Sequence, residues 1–335
     1  MTQFLLRRIF QACLTMFVAL ALVFIAIRIL PGNPLLGRFG QHVDLEQMEQ
    51  IRHEQGWDEP VLVQFGHFLW QLTVSGDLGH SIDNTLVDVG EELRRRIPAT
   101  IELTLAAMMI ALPLGIGAGV AAAVWRNRFP DYFCMMGSLL GVSIPVFFLG
   151  ICLRAIFSGM PTSQRLPQEV MLDFEPLTGF YMVDTMLRGR IDWFFASMRH
   201  LCLPAVALSS IPTAIIARIT RSSMLEVLSE DYIRTAKAKG SSAWRVIWRH
   251  AFPNAAVPIA NIAGFQIGLL LSGAVLTETV FEWPGLGKFI IDAVPNSDYP
   301  IVQAGAMVVA TIFVFTNLAL DVLYAWLDPR IRVSG

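Results

Sequence analysis

Six separate stretches of this chain are each long and apolar enough to cross a lipid bilayer: Ile9 to Leu30, Thr100 to Trp125, Tyr132 to Ser158, Leu201 to Ile219, Ala255 to Phe281, and Gln303 to Leu327. A hydrocarbon core about 30 Å thick needs about 20 apolar residues in a helix. Within it every backbone N–H and C=O must be paired inside the element, which leaves helices as the spanning structure for runs of this length. A chain of 335 residues would otherwise suggest two soluble domains. Composition argues against that, since 54% of residues are hydrophobic and only 16% charged. Soluble domains carry about 25% charge. Pro113, Pro145 and Gly264 interrupt the runs, as membrane helices tolerate. The expectation is an all-α integral membrane protein with six transmembrane helices in a single transmembrane domain spanning residues 1–335.

Arg7 and Arg8 precede the first run, but 22 apolar residues exceed a signal-peptide core and no small-x-small cleavage site follows, so the run reads as a retained span. Basic residues gather on the inner side of membranes. With the N-terminus inside, the inner segments hold 13 of the 25 basic residues in a short length of chain, which predicts both termini in the cytoplasm. Two outer loops result, 31–98 and 159–199. The first is too long to be structureless. Asp44 to Gly56 reads as a capped helix, and Pro60 opens a second apolar-periodic stretch through Val74 with Leu62, Phe65, Leu69 and Leu72 on one face. Cys13, Cys134, Cys152 and Cys202 are far apart and read as buried free thiols.

The inner loop 218–254 is the most informative segment. Ser229 reads as an N-cap, with Glu230 and Asp231 in the first turn and Lys237 and Lys239 in the last, where each charge suits the helix dipole. Gly240 supplies the left-handed position that ends a helix. This predicts a polar helix from Glu230 to Lys239. Ala236 and Ala238 allow close approach of another protein, and Tyr232 and Ile233 offer apolar contact. Taken alone, it is either a solvated surface helix or a docking element. After it, Trp244, Ile247, Trp248 and Ala251 recur at helical spacing with Arg245 and Arg249 opposite, a pattern suited to the membrane interface. Pro253 and Pro258 are expected to end that helix before the fifth span. Two short helices joined at Gly240 would form a rigid elbow on the inner membrane face.

The segment Tyr232-Ile233-Arg234-Thr235-Ala236-Lys237-Ala238-Lys239-Gly240, followed by Phe252-Pro253, resembles the EAA loop of ABC importer permeases. Arg234 stands where the family glutamate is usual, and Thr235 where its first alanine is. Further stretches resemble the peptide-importer branch: Pro31-Gly32-Asn33-Pro34, Gly76 to Ser81, Pro98 to Leu103, Pro176 to Phe180, Thr277 to Gly287, and Asp328 to Arg332. Together they most resemble the first, B-type permease subunit of dipeptide and oligopeptide importers. The resemblance implies a type I ABC importer permease fold in a bacterial inner membrane, with a helical periplasmic loop. It implies a second homologous permease, two ATPase subunits and an external or lipid-anchored substrate-binding protein as partners. ATP and Mg would sit in the partner subunits, with no cofactor in this chain. The ATPase-coupling residues would be Glu230, Asp231, Tyr232, Arg234, Thr235, Ala236, Lys237, Lys239, Gly240 and Pro253. Nickel, glutathione, haem precursors or antimicrobial peptides are alternative cargoes, and a self-sufficient secondary transporter is the rival class.

No phosphate-cradling loop occurs, since Gly287-Lys288 is followed by Phe289 and lacks the upstream glycine. No metalloprotease or serine-hydrolase pattern is present, and the six histidines are scattered, so neither catalysis nor a metal site is expected. Ionisable groups inside spans suggest a pathway or a partner. Glu278 is read either so or as a helix-end carboxylate, and Asp321 as a structural polar contact. Trp283, Pro284 and Gly285 end the fifth span with a rigid turn and join Glu278 as pathway or gate candidates. Gly264, Gly268 and Gly273 could pack closely within the chain or against a partner permease.

Overall fold

The computed structural model describes residues 2–29, 53, 56, 58–82, 84 and 86–327, and all the regular elements among them are helical. The readings made for Pro31 to Pro34, for the helix from Asp44 to Gly56, and for Asp328 to Arg332 fall wholly or mostly outside these residues, as does the side chain of Asp321. Helix α1 is Thr2–Ile29, α2 Val61–Trp70, α3 Val89–Val124, α4 Phe129–Ser143, α5 Val146–Ile156, α6 Gln168–Met171 and α7 Tyr181–Leu187. Then follow α8 Ile191–Leu228, α9 Asp231–Ala238, α10 Ala243–Arg245, α11 Phe252–Gly273, α12 Val275–Val280, α13 Leu286–Ala293 and α14 Tyr299–Leu327.

Five helical stretches have the length and composition to cross a membrane, or six if one bent pair is a single span. The bent pair is α4 and α5, which meet at 102°. The third apolar run is therefore not one straight helix. Proline disfavours helical backbone in the residue before it, and Ile144 ahead of Pro145 is extended at φ −83°, ψ 121°. The second and fourth runs lie inside much longer helices of 36 and 38 residues. At about 1.5 Å per residue α3 and α8 reach about 54 and about 57 Å, well beyond the hydrocarbon on their own.

The bundle is built on α3 against α8. Ala99, Leu103, Ala107, Ala111 and Ala123 of α3 meet Leu208, Ile216 and Met224 of α8 in one core, which Ala255, Ile259 and Leu270 of α11 complete. In lipid no hydrophobic effect drives helices together, so close approach of small residues does. A Cβ on Gly115 would stand 2.8 Å from Ile216, and one on Gly119 2.5 Å from the Thr220 side chain and 2.6 Å from the Ala217 carbonyl. These two glycines make the tight seam. Gly268, a candidate for close packing within the chain or against a partner permease, has only ordinary contacts within the chain, nearest Phe313 at 3.5 Å.

Around this pair α1 packs on α14, and α14 on α11 and α13. Helix α2 lies against α1 through Phe65 and Phe68, whose rings sit 5.1 and 5.7 Å from Phe24. Leu62, expected on that face, is 81% exposed. Arg28 ties the three elements, donating to Gln64 at 3.0 Å and Gln303 at 2.9 Å. At the opposite end of the bundle Arg221 of α8 holds Asp131 of α4 through two bonds of 2.6 and 2.8 Å. All four cysteines are free, but Cys13 and Cys202 are exposed, facing away from the core rather than into it.

Gly119→Val should overpack the α3–α8 seam and cost about 1–3 kcal/mol, whereas Gly117→Ala, with open space around its Cβ, should be silent. Thermal unfolding of both variants in detergent checks this; equal melting would remove the seam from its place in the fold.

Candidate functional site

Two constellations occupy opposite ends of the long helices. One is the elbow. Helix α8 runs to Leu228, and Ser229 is its C-cap, its hydroxyl donating to the Glu226 carbonyl at 2.7 Å. Ser229 is thus not the N-cap of the next helix, because its own backbone is still helical. Glu230 takes that position with extended backbone at φ −68°, ψ 149° and no side-chain bond. Helix α9 follows for eight residues, one shorter at each end than expected. Its stop is complete: Gly240 sits at φ +80°, its N–H reaching the Lys237 carbonyl at 3.0 Å, while Ser241 N–H reaches Ala236 at 3.2 Å. That pair of bonds is a Schellman motif, which favours glycine because only it adopts positive φ without strain.

Ile233 anchors α9. It is wholly buried in the main core with Met224, Val246 and Ala251. Tyr232, though exposed, accepts a bond from Asn254 Nδ2 at 2.8 Å, tying α9 to α11. The remaining face is open and polar, with Asp231, Arg234, Thr235, Lys237, Ala238, Lys239 and Gly240 all exposed or nearly so, and Ala236 beside them. Arg234 and Asp231 pair at 3.1 Å on that face, an exposed contact of little energetic weight.

The second arm of the elbow does not end before α11. Between α10 and α11 the chain runs through a π-helical turn, Val246–Ala251. Phe252 donates to Ile247, five residues back. Pro253 has no N–H to offer the carbonyl four residues earlier, and a wide turn accommodates that loss without breaking the rod. Pro253 stands in the first turn of α11 and Pro258 inside it, so neither terminates the arm. Trp244, Trp248 and Phe252 stack along it with ring centres 5.5 and 5.2 Å apart.

The other constellation is a buried polar knot around residues 98–102 of α3. Thr100 donates to Glu278 Oε1 at 2.6 Å and accepts from the Leu286 N–H at 2.9 Å. Glu278, fully buried, also accepts from the Lys288 N–H at 2.9 Å. Trp283, equally buried, donates from its indole to the Ala99 carbonyl at 2.9 Å. Gly285 closes the turn, since a Cβ there would lie 2.1 Å from Glu278 Oε1. One turn further along α3, Glu102 pairs with buried Arg165 and accepts from the Met182 N–H at 2.7 Å. The Arg165 guanidinium lies 3.6 Å from the Tyr181 ring centre and bonds the Gly179 carbonyl at 2.8 Å. Asp184 folds the loop beneath, accepting from Thr178 N–H at 2.9 Å and Gly179 N–H at 3.0 Å. Beside the knot Ser81 bonds Asp298, which also receives the Ile82 N–H at 3.2 Å.

The structure therefore groups the ten elbow residues at one end, with Pro253 on the second arm, and packs Glu278, Trp283 and Gly285 into the knot at the other, with Pro284 half-buried beside them. Thr100, Glu102, Arg165, Asp184 and Asp298 were not singled out from sequence. An acid two residues into an apolar run is the signal that marks Glu102. The segments Pro98 to Leu103, Pro176 to Phe180 and Thr277 to Gly287, far apart in sequence, meet at this knot, and Leu78 of the segment Gly76 to Ser81 packs in the cluster that holds Leu286.

Residues 111–333 match the family described as binding-protein-dependent transport system inner membrane component, and residues 1–104 match that family's N-terminal region. The chain is 44% identical to the di/tripeptide transport system permease protein DppB of Pseudomonas aeruginosa (strain UCBPP-PA14), over 99% of each chain. It is 43% identical to the dipeptide transport system permease protein DppB of Escherichia coli (strain K12), again over 99% of each. Identity to the glutathione transport system permease protein GsiC of Escherichia coli O6:H1 is 37%, over 99% of each.

Thr100→Val should leave the Leu286 N–H without an acceptor and Glu278 short of a donor, at about 1–3 kcal/mol for each buried group. Thr100→Ser keeps the hydroxyl and should melt near the parent. A Thr100→Val protein as stable as the parent in detergent would show that the knot does not hold this end together.

Proposed function

Since the chain belongs to the family of binding-protein-dependent transport system inner membrane components, we propose that it is the B-type permease subunit of an ATP-driven importer of dipeptides or short oligopeptides. Relatives named for di/tripeptide and dipeptide transport, aligned end to end at 44% and 43% identity, support this cargo. The glutathione permease relative has a cargo that is itself a short peptide, so it fits the same class.

In this reading the chain spans the membrane six times, α4 and α5 counting as one broken crossing, with both termini in the cytoplasm and the type I importer fold. Residues 31–98 and 159–199 form periplasmic loops, and 218–254 the cytoplasmic coupling loop, all within a single permease domain. A homologous second permease completes the pathway. Two ATPase subunits, which carry ATP and Mg, dock on the elbows of the two permeases, and a binding protein delivers peptide from outside. This chain catalyses nothing.

The observation that carries the reading is the form of the elbow. Helix α9 is pinned from behind by Ile233 and stopped by Gly240, yet presents Glu230, Asp231, Arg234, Thr235 and Lys239 on its open face, with exposed Lys237 at the inner edge of that face. Tyr232, Ala236 and Pro253 border that face. Because the second arm continues into α11, a push on α9 is delivered to a membrane-spanning rod. At the far end of that rod Glu278, Trp283, Pro284 and Gly285 set the shape of the outer gate by clamping it to α3.

Gly240→Pro should abolish peptide-stimulated ATP hydrolysis in the reconstituted importer, because proline cannot adopt the φ of +80° found there. The spans should stay folded, as the space beside Gly240 is open. Gly240→Arg, strained at the same φ, should weaken coupling less completely. Unchanged stimulated ATPase activity in the proline variant would refute the coupling role.

A further inference from the structure

A cavity of about 490 Å³ opens behind the elbow, between both of its arms and the near ends of α3 and α8. Val124, Leu225, Leu228, Val246 and Ile247 make its walls apolar. Arg126 and Lys237 supply charge at its edge, with the hydroxyls of Ser229 and Ser241 between. No acidic side chain lines it. Among the described residues neither Arg126 nor Lys237 forms an ion pair within 4 Å, and Asp131, which feels the charge of Arg126, is held by two bonds to Arg221.

We propose that this cavity binds the phosphate-bearing headgroup of an anionic phospholipid from the cytoplasmic leaflet, and so makes coupling dependent on lipid composition. The inference deepens the proposed function and rests on its orientation, in which the elbow faces the cytoplasm. Three observations converge on this occupant. Charge is the first: two cations over an apolar floor match an anionic amphiphile, with the phosphate at the cations and the acyl chains along Leu225, Leu228 and Ile247. Depth is the second. Trp125 lies in sequence between the lining residues Val124 and Arg126, and Trp244 follows the lining residue Ala243; at 48% and 72% exposure both suit an interfacial position. The third is size, since the 490 Å³ of the cavity falls in the range of pockets that bury a ligand the bulk of a headgroup with its first methylenes. A molecule lodged there touches α3, α8, α9 and the arm leading into α11 at once. It would brace α9 against the spans and so stiffen the elbow through which a push on α9 is delivered.

The test uses the whole importer, purified with its partner permease and ATPases from nanodiscs of equal phosphatidylcholine and phosphatidylglycerol, and counts retained lipids by native mass spectrometry. Wild type should keep phosphatidylglycerol in preference to phosphatidylcholine. Arg126→Gln should reduce that retention about fivefold, the ratio expected for one basic residue at an anionic surface, and Lys237→Gln should do the same. Equal retention of both lipids, or no change in either variant, would overturn the proposal. So would displacement by excess inorganic phosphate, which would assign the cavity to the free anion. Lipid retained only after the ATPases are stripped off would likewise overturn it, because a partner chain would then be the natural occupant. The ATPase content of each particle is read from its mass, so a failure of the coupling reading is seen separately from a failure to hold lipid.

Discussion

Two helices that touch along their backbones govern this structure. At Gly115 and Gly119, α3 approaches α8 more closely than any side chain would permit. Association in lipid draws on dispersion and shape rather than on exclusion of water, so this seam sets the axis on which the other elements are hung. Both helices run past the hydrocarbon, and their overhanging ends carry the two constellations. Elbow and knot are thus opposite ends of one rigid pair. A long helix shared between two sites lets distant parts of the chain be positioned by a single packing contact.

The overhanging ends are fastened by polar groups, and burial decides how much each fastening matters. Glu278 and the Glu102–Arg165 pair are removed from solvent, where a missing partner is costly. They specify how the segment between α5 and α8 and the turn after α12 seat on α3. Arg95 with Glu91 and Arg190 with Asp192 are close pairs too, but exposed, and contribute little. At the elbow the balance is reversed, with one buried isoleucine behind and a row of exposed charges in front. One end is fastened by buried polar bonds, while the other leaves its charges in solvent.

Much of this was legible in the residues. Apolar length located the spans, and the polarity of Glu230 to Lys239 followed by Gly240 located α9, because caps and left-handed glycines are local signals that tertiary structure seldom overrides. What failed to show were properties that depend on a neighbour. The 102° break at Pro145 and the unbroken passage through Pro253 both begin from a proline in an apolar context, and only packing decides whether the helix turns or widens. Gly115 and Gly119 look no different in sequence from Gly268, yet of these three only the first two have a neighbour pressed against them. The knot was hidden for the same reason: Thr100 and Glu278 become partners only when a sequence separation of 178 is folded away.

The wide turn at Val246–Ala251 has a geometric corollary. A helix with five-residue spacing carries one residue more than its pitch requires, and each residue in an α-helix advances the azimuth by about 100°. Removing one residue there would restore the ordinary bonding pattern, but out of a turn whose Val246 and Ala251 are packed in the main core beside Ile233. Insertion or deletion at this spot therefore shifts how the elbow seats on the bundle, at the expense of those buried contacts.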